Sequence, residues 1–148
     1  MKPRIILLED NESSRFCLVL LLEQKGYEVV HAPDPTICPV YSNPAGTCPH
    51  EHPCGDFLLT DNDMPKMTGL EFIEAQVSRG CKGAATHKAV MSGSLRQAER
   101  EKAEALGCKI FTKPIRMEDV FGWLNQKKQQ LPPDRKLTDL SKRLADGA

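Results

Sequence analysis

Five short apolar runs punctuate this chain at 4–8 (RIILL), 27–31 (YEVVH), 56–60 (DFLLT), 88–91 (KAVM) and 109–112 (KIFT), and helix-length segments separate most of them. Runs of this length are strands, and continuous rather than alternating apolarity marks strands buried on both faces. The intervening segments carry helix punctuation. Asn11 caps a helix over 12–25 that Gly26 closes. Thr68 caps another with Leu70, Ile73 and Val77 on its apolar face and Gly80 at its end. Ser94 with Gln97 reads as a capping box for a helix reaching about Leu106, and a last helix over 117–130 stops at Leu131-Pro132-Pro133. Strands alternating with helices predict an α/β fold, a doubly wound parallel sheet with its ligand site beyond the carboxyl ends of the strands.

That rule gathers Glu9, Asp10, Asp61, Asp63, Ser92 and Lys113 onto one rim. Three carboxylates at one edge repel unless a cation lies between them, and an all-oxygen set suits a hard ion such as magnesium. Such an ion keeps Asp61 ionised and nucleophilic. A hydroxyl at Ser92 and an ammonium at Lys113 supply the donor and counter-charge that a phosphorylated carboxylate needs.

Glu9-Asp10 after the first strand, Asp61-x-x-Met64-Pro65 with Gly69, Ser92-Gly93 after the fourth and Lys113-Pro114 after the fifth occur in order. With this set, residues 4–128 resemble the receiver domain of a bacterial two-component response regulator. The resemblance implies a flavodoxin-like five-stranded sheet of order 2-1-3-4-5 and phosphotransfer from a histidine kinase or phosphotransfer protein to Asp61. It implies Mg2+ held by Asp10, Asp61 and the main-chain carbonyl of Asp63, with Glu9 acting through water. Ser92 and Lys113 would contact the phosphoryl group, the Lys113–Pro114 peptide would be cis, and the output would be a changed contact with a downstream protein at the fourth helix, fifth strand and fifth helix. The chain would then be no enzyme beyond its own phosphorylation and dephosphorylation. One position departs from the pattern: Ile110 stands where receivers often place a switching aromatic, and Phe111 lies on the opposite side of the strand. Asp61-x-Asp63 also resembles the nucleophile motif of haloacid-dehalogenase-type phosphatases. In those enzymes the remaining acid pair follows the lysine, whereas here Glu9-Asp10 precedes it and Glu118-Asp119 falls inside a helix.

The 148 residues fit one domain, read as 1–130 with a tail over 131–148, and a chain of this size needs no disulfides to fold. Twenty basic against twenty acidic residues give no electrostatic case for nucleic acid or an anionic membrane. The longest apolar run, 17–22, is too short to span a bilayer, and no signal-peptide pattern precedes the first strand, so the expected compartment is the cytoplasm. The six cysteines therefore need another explanation. Between the second and third strands, where a helix belongs, residues 33–55 hold six of the eleven prolines, three cysteines and two histidines, which excludes a regular helix. Cys38, Cys48 and Cys54 of this insert and Cys81 after the third helix fall at the end of the sheet opposite the rim. They are candidates for a tetrahedral zinc site, with His50 or His52 able to replace one ligand, or for a redox pair, or for plain packing. A metal- or redox-responsive receiver-like sensor is the matching alternative function. Cys17 and Cys108 read as packing residues, and His31 and His87 as surface or strand-end residues. Leu137, Leu140 and Leu144 at helical spacing suggest a short helix docking on the domain or a partner. Nothing in the sequence fixes an oligomeric state.

Overall fold

The computed structural model describes residues 2–43 and 45–140. Five parallel strands, β1 (Arg4–Leu8), β2 (Glu28–Ala32), β3 (Phe57–Asp61), β4 (Lys88–Ser92) and β5 (Lys109–Thr112), form one sheet of order β2-β1-β3-β4-β5. Helices α1 (Glu12–Gln24), α2 (Pro39–Ser42), α3 (Gly69–Ser78), α4 (Gln97–Leu106) and α5 (Met117–Lys128) connect them. This is the flavodoxin-like arrangement that the motif order implies.

Alternate residues of each strand feed two cores, which is why the strands read as unbroken apolar runs. Ile5, Leu7, Phe57, Leu59 and Met91 pack with Val19 and Leu22 of α1 and Val120, Trp123 and Leu124 of α5. Ile6, Leu8, Leu58 and Val90 pack on the other face with Leu70, Phe72 and Ile73 of α3 and Ala103 of α4. Phe111 joins the first core, 5.7 Å from the Trp123 ring, while Ile110 packs against the second. Among the described residues, no helix is long and apolar enough to cross a membrane.

Several local expectations shift. Strand β3 starts and ends one residue later than expected, because the Asp56 side chain is turned out of the ladder to accept from the Arg4 backbone N–H at 2.9 Å. Helix α4 begins at Gln97, not at a Ser94–Gln97 box: Glu99 accepts from the Arg96 N–H at 3.1 Å, and the Ser94 N–H goes to Ser92 Oγ instead. Val77 is exposed, since α3 buries the face through Leu70, Ile73 and Gln76, with Phe72 covered by Tyr41 from the insert. Cys17 is likewise exposed rather than packed: the central run 16–22 of α1 is apolar through two full turns, and the buried stripe runs through Val19 and Leu22. Cys108 is buried as expected.

The insert is not wholly irregular. A single 3-10 turn at Pro35–Ile37 leads into α2, whose first residue is Pro39, the helical position where a missing N–H costs nothing. A full helix does not form, because proline recurs too often beyond it. The cover is completed from the far end of the chain. Residues 131–140 contain no helix, contrary to the leucine spacing, and lie extended along the insert. The Thr138 N–H donates to Pro53 O at 2.8 Å, and its hydroxyl donates to His52 O at 2.7 Å. Arg4 Nη1 donates to both Thr138 O and Cys54 O at 2.8 Å. Arg135 grips Asp56 with two nitrogens, and Leu140 is buried in the second core. Hydrogen bonding draws this segment flat against the loop, where a helix would satisfy only itself. Leu144 lies outside the described residues.

Candidate functional site

Asp61 ends β3 and is 2% exposed, and Glu9 follows β1 and is 5% exposed, so both carboxyls sit in the rim's interior, while Asp10 beside them is exposed. One oxygen from each of Glu9, Asp10 and Asp61 lies within 4.8 Å of the others. Lys113 Nζ donates to Asp61 Oδ1 at 2.9 Å, and the Asp63 N–H donates to the same oxygen at 3.2 Å. The Lys113–Pro114 peptide is cis. Ser92 ends β4 and is 3% exposed, one position beyond the Met91 that pairs with Asp61 in the ladder. Asp63 itself is exposed.

Burial drives the electrostatics. Burial first, then a hydrogen bond to Asp61 and its negative charge, push the Glu9 carboxyl up to about 7. For Asp61 burial also opposes ionisation, but hydrogen bonds from Glu9, Lys113 and the Asp63 N–H outweigh it and hold the group below its ordinary value. Burial pulls the Lys113 ammonium down, and its contacts with Asp61 and Glu9 more than restore it, keeping it above its ordinary value. The pair therefore shares a proton: Glu9 carries it while Asp61 stays charged.

A hard divalent ion fits this donor set. All the ligands are oxygens, and Glu9 Oε2 is buried with no hydrogen-bond partner among the described residues. Asp10, Asp61 and the carbonyl of Asp63 are the residues that would hold it, with Glu9 behind them.

Two residues that the sequence reading passed over build the loop that presents Asp61. Buried Asn62 accepts the Leu70 N–H on Oδ1 at 3.0 Å and the Gly69 N–H on its carbonyl at 3.1 Å, pinning the start of α3 to the end of β3. Arg15 of α1 donates to Glu9 O at 2.9 Å and braces the first loop from behind. An Asn between two Asp residues at a strand end is the signal that points to the first; nothing local marks the second. Gly69 is dictated by space: a Cβ there would lie 2.5 Å from Asp61 O.

Glu118 and Asp119 stand in the first turn of α5 and take no part in the acidic group, so the phosphatase pattern lacks its second acid pair at this rim. At the opposite end, Cys38, Cys48, Cys54 and Cys81 do reach one cavity. Their sulfurs are not gathered into the tetrahedral arrangement that was one of the three candidate readings: among the described residues no three His or Cys ligand atoms lie within 4.8 Å of one another, and none of the six cysteines is in a disulfide. The insert's backbone is tied to the end of α3 by the Cys48 N–H, which donates to Arg79 O at 2.9 Å, and to the tail through Thr138. His50 and His52 do not line that cavity.

No family model and no curated sequence matches the chain. Solved structures do. A response regulator receiver protein from Pseudomonas putida aligns with TM-score 0.68 at 24% identity, over 85% of this chain and 98% of that one. The chemotaxis response regulator CheY4 of Vibrio cholerae aligns with TM-score 0.62 at 21% identity, over 86% and 99%. The non-phosphorylated HemR receiver domain from Leptospira biflexa aligns with TM-score 0.67 at 22% identity, over 89% and 98%. Sheet order, two-sided core and these likenesses agree, and the chain has the fold of response regulator receiver domains.

Proposed function

We propose that the chain is a phosphoacceptor module of a two-component system, taking a phosphoryl group from a histidine kinase or phosphotransfer protein onto Asp61 and passing the signal on through a changed protein contact. The observation that supports it is the junction of Asp61 with Lys113 at 2.9 Å inside a three-carboxylate rim. A bound Mg2+ supplies charge neutralisation for the incoming phosphoryl oxygens. The remaining work falls to the chain's own groups. Asp61 is the nucleophile, kept ionised at neutral pH by Lys113 and the Asp63 N–H. With a cation held by Asp10, Asp61 and the Asp63 carbonyl, Glu9 would release its proton to solvent and add its charge behind them. After transfer Lys113 moves its bond from the carboxylate to the phosphoryl group, and the Ser92 hydroxyl, released from the Ser94 N–H, donates to another phosphoryl oxygen. Phe111 of β5 is buried in the first core against Trp123, and Ile110 holds the position of the usual switching aromatic. The signal therefore runs through Ser92 and the β4–α4 loop toward the α4–β5–α5 face.

A small-molecule phosphodonor such as acetyl phosphate, supplied with Mg2+, tests the reading. Mass spectrometry is expected to find one phosphoryl group per chain, lost with Asp61→Asn and absent when the metal is chelated. No acyl phosphate on the wild-type chain overturns the proposal. Multiple turnover of a phosphate monoester overturns it in favour of a phosphatase.

A further inference from the structure

Cys81 follows α3 and Lys88 opens β4, and the short turn between them brings a thiol and an amine together. Lys88 is 4% exposed, and its Nζ lies 3.2 Å from Cys81 Sγ and 2.6 Å from Gln76 Oε1. Gln76 on α3 is itself buried, so the amine is held against the sulfur instead of reaching out to water as lysine heads usually do. Two other sulfurs have different neighbours. Cys38 Sγ takes an amide hydrogen from Gln76 Nε2 at 3.8 Å, and Cys108 Sγ faces Ala103 O at 3.6 Å. Neither an amide nor a carbonyl oxygen is the kind of nucleophile that an amine is.

Gly83 lies over the pair. A Cβ built there would stand 3.5 Å from Lys88 Cε and 3.7 Å from Cys81 Sγ, which are ordinary contact distances, so glycine leaves this side of the pair without a covering side chain. Cys81 and Gly83 are half-buried. All three residues border a cavity of about 60 Å³, room enough for a molecule the size of hydrogen peroxide.

We propose that Cys81 and Lys88 form a peroxide-responsive cross-link, a sulfenamide bond between Sγ and Nζ. Hydrogen peroxide oxidises the sulfur first: its O–O bond breaks, the thiol becomes a sulfenic acid, and one water leaves. The Lys88 amine, after giving one proton to solvent, attacks that sulfur with its lone pair. The S–O bond breaks, and the oxygen departs as water with one of the two remaining amine hydrogens. In balance, one peroxide is reduced to two waters and the chain loses two hydrogens. Selectivity comes from capture: an amine already fixed beside the sulfur competes as if at very high concentration against free thiols and further peroxide. The bond fastens β4 to the turn after α3 and removes the Lys88 charge. Two thiols reverse it, returning the cysteine and the amine and leaving as a disulfide. Lys88 lies at the opposite end of β4 from Ser92, and neither the bond nor its test depends on phosphorylation.

Intact mass and peptide mapping of the full chain after a brief hydrogen peroxide treatment, stopped with catalase, decide the question. Expected is a loss of about 2 Da, mapped to a Cys81–Lys88 link and restored by dithiothreitol. Lys88→Met is expected to lose the link and let Cys81 run on to the sulfinic acid, about 32 Da heavier. Gly83→Ala should slow the linking roughly threefold by covering the pair, and Cys17→Ser should leave it unchanged. Wild type in which peroxide oxidises the exposed Cys17 while Cys81 and Lys88 stay unlinked overturns the proposal, whether or not the variants fold. So does a loss of about 2 Da that maps to a disulfide between Cys81 and another cysteine.

Discussion

Glu9 and Asp61 are two carboxyls that the fold holds in one buried place, and their unequal environments decide which keeps a proton. Glu9 titrates near 7 in the metal-free fold against about 4.5 in an unfolded chain, so between those values the folded state holds the extra proton. Stability from this group is therefore full below about pH 4.5 and drains away as pH rises to about 7. Glu9→Gln mimics the protonated form at every pH. Without divalent ions the variant is expected to match wild type at pH 5 and to exceed it by about 1–3 kcal/mol at pH 8, read from denaturant melts. An unchanged difference across that range would show that Glu9 does not carry the proton. Gly69 makes a second, steric point. Gly69→Ala drives a methyl into the Asp61 carbonyl and the Thr60 side chain, with an expected loss of about 2–3 kcal/mol and a slower reaction with acetyl phosphate. Wild-type stability and rate in that variant would mean the loop is looser than its packing indicates.

At the scale of elements, the strands and the rim they support were legible because their signals are local. An unbroken run such as RIILL has one stable fate, and the rule that sites follow strand ends collects Asp10, Asp61, Ser92 and Lys113 before any contact is known. Element ends were less legible. Ser94 and Arg96 compete for the same helix start, and Glu99 decides it by reaching back to the Arg96 N–H. Helix α1 shows why Cys17 misleads: its central run 16–22 is apolar through two full turns and gives no clue to which stripe faces inward. The insert was legible only as an anomaly. Its density of proline excludes a full helix, but what replaces that helix depends on partners more than eighty positions away.

For the molecule as a whole, the boundary near residue 130 separates less than the sequence suggests. Arg135 and Thr138 engage Asp56, Arg4, Pro53 and His52, and Leu140 seals the second core. Burying one leucine contributes about 2 kcal/mol, and removing one partner of a buried, doubly bonded ion pair costs about 3–5 kcal/mol. A chain ending at residue 130 is thus expected to melt roughly 10 °C or more below the full chain, while Asp61 keeps its reactivity toward acetyl phosphate. Equal melting temperatures would show that the strap adds nothing. The same strap orders events during synthesis. Strand β1 is made before residues 135–140, so Arg4 gains its bond to Thr138, and the second core gains Leu140, only once those residues are synthesised. Until residues 135–140 emerge, the second core lacks Leu140 and the insert lacks its cover, so that face of the sheet is open to chaperones or to unwanted neighbours during synthesis.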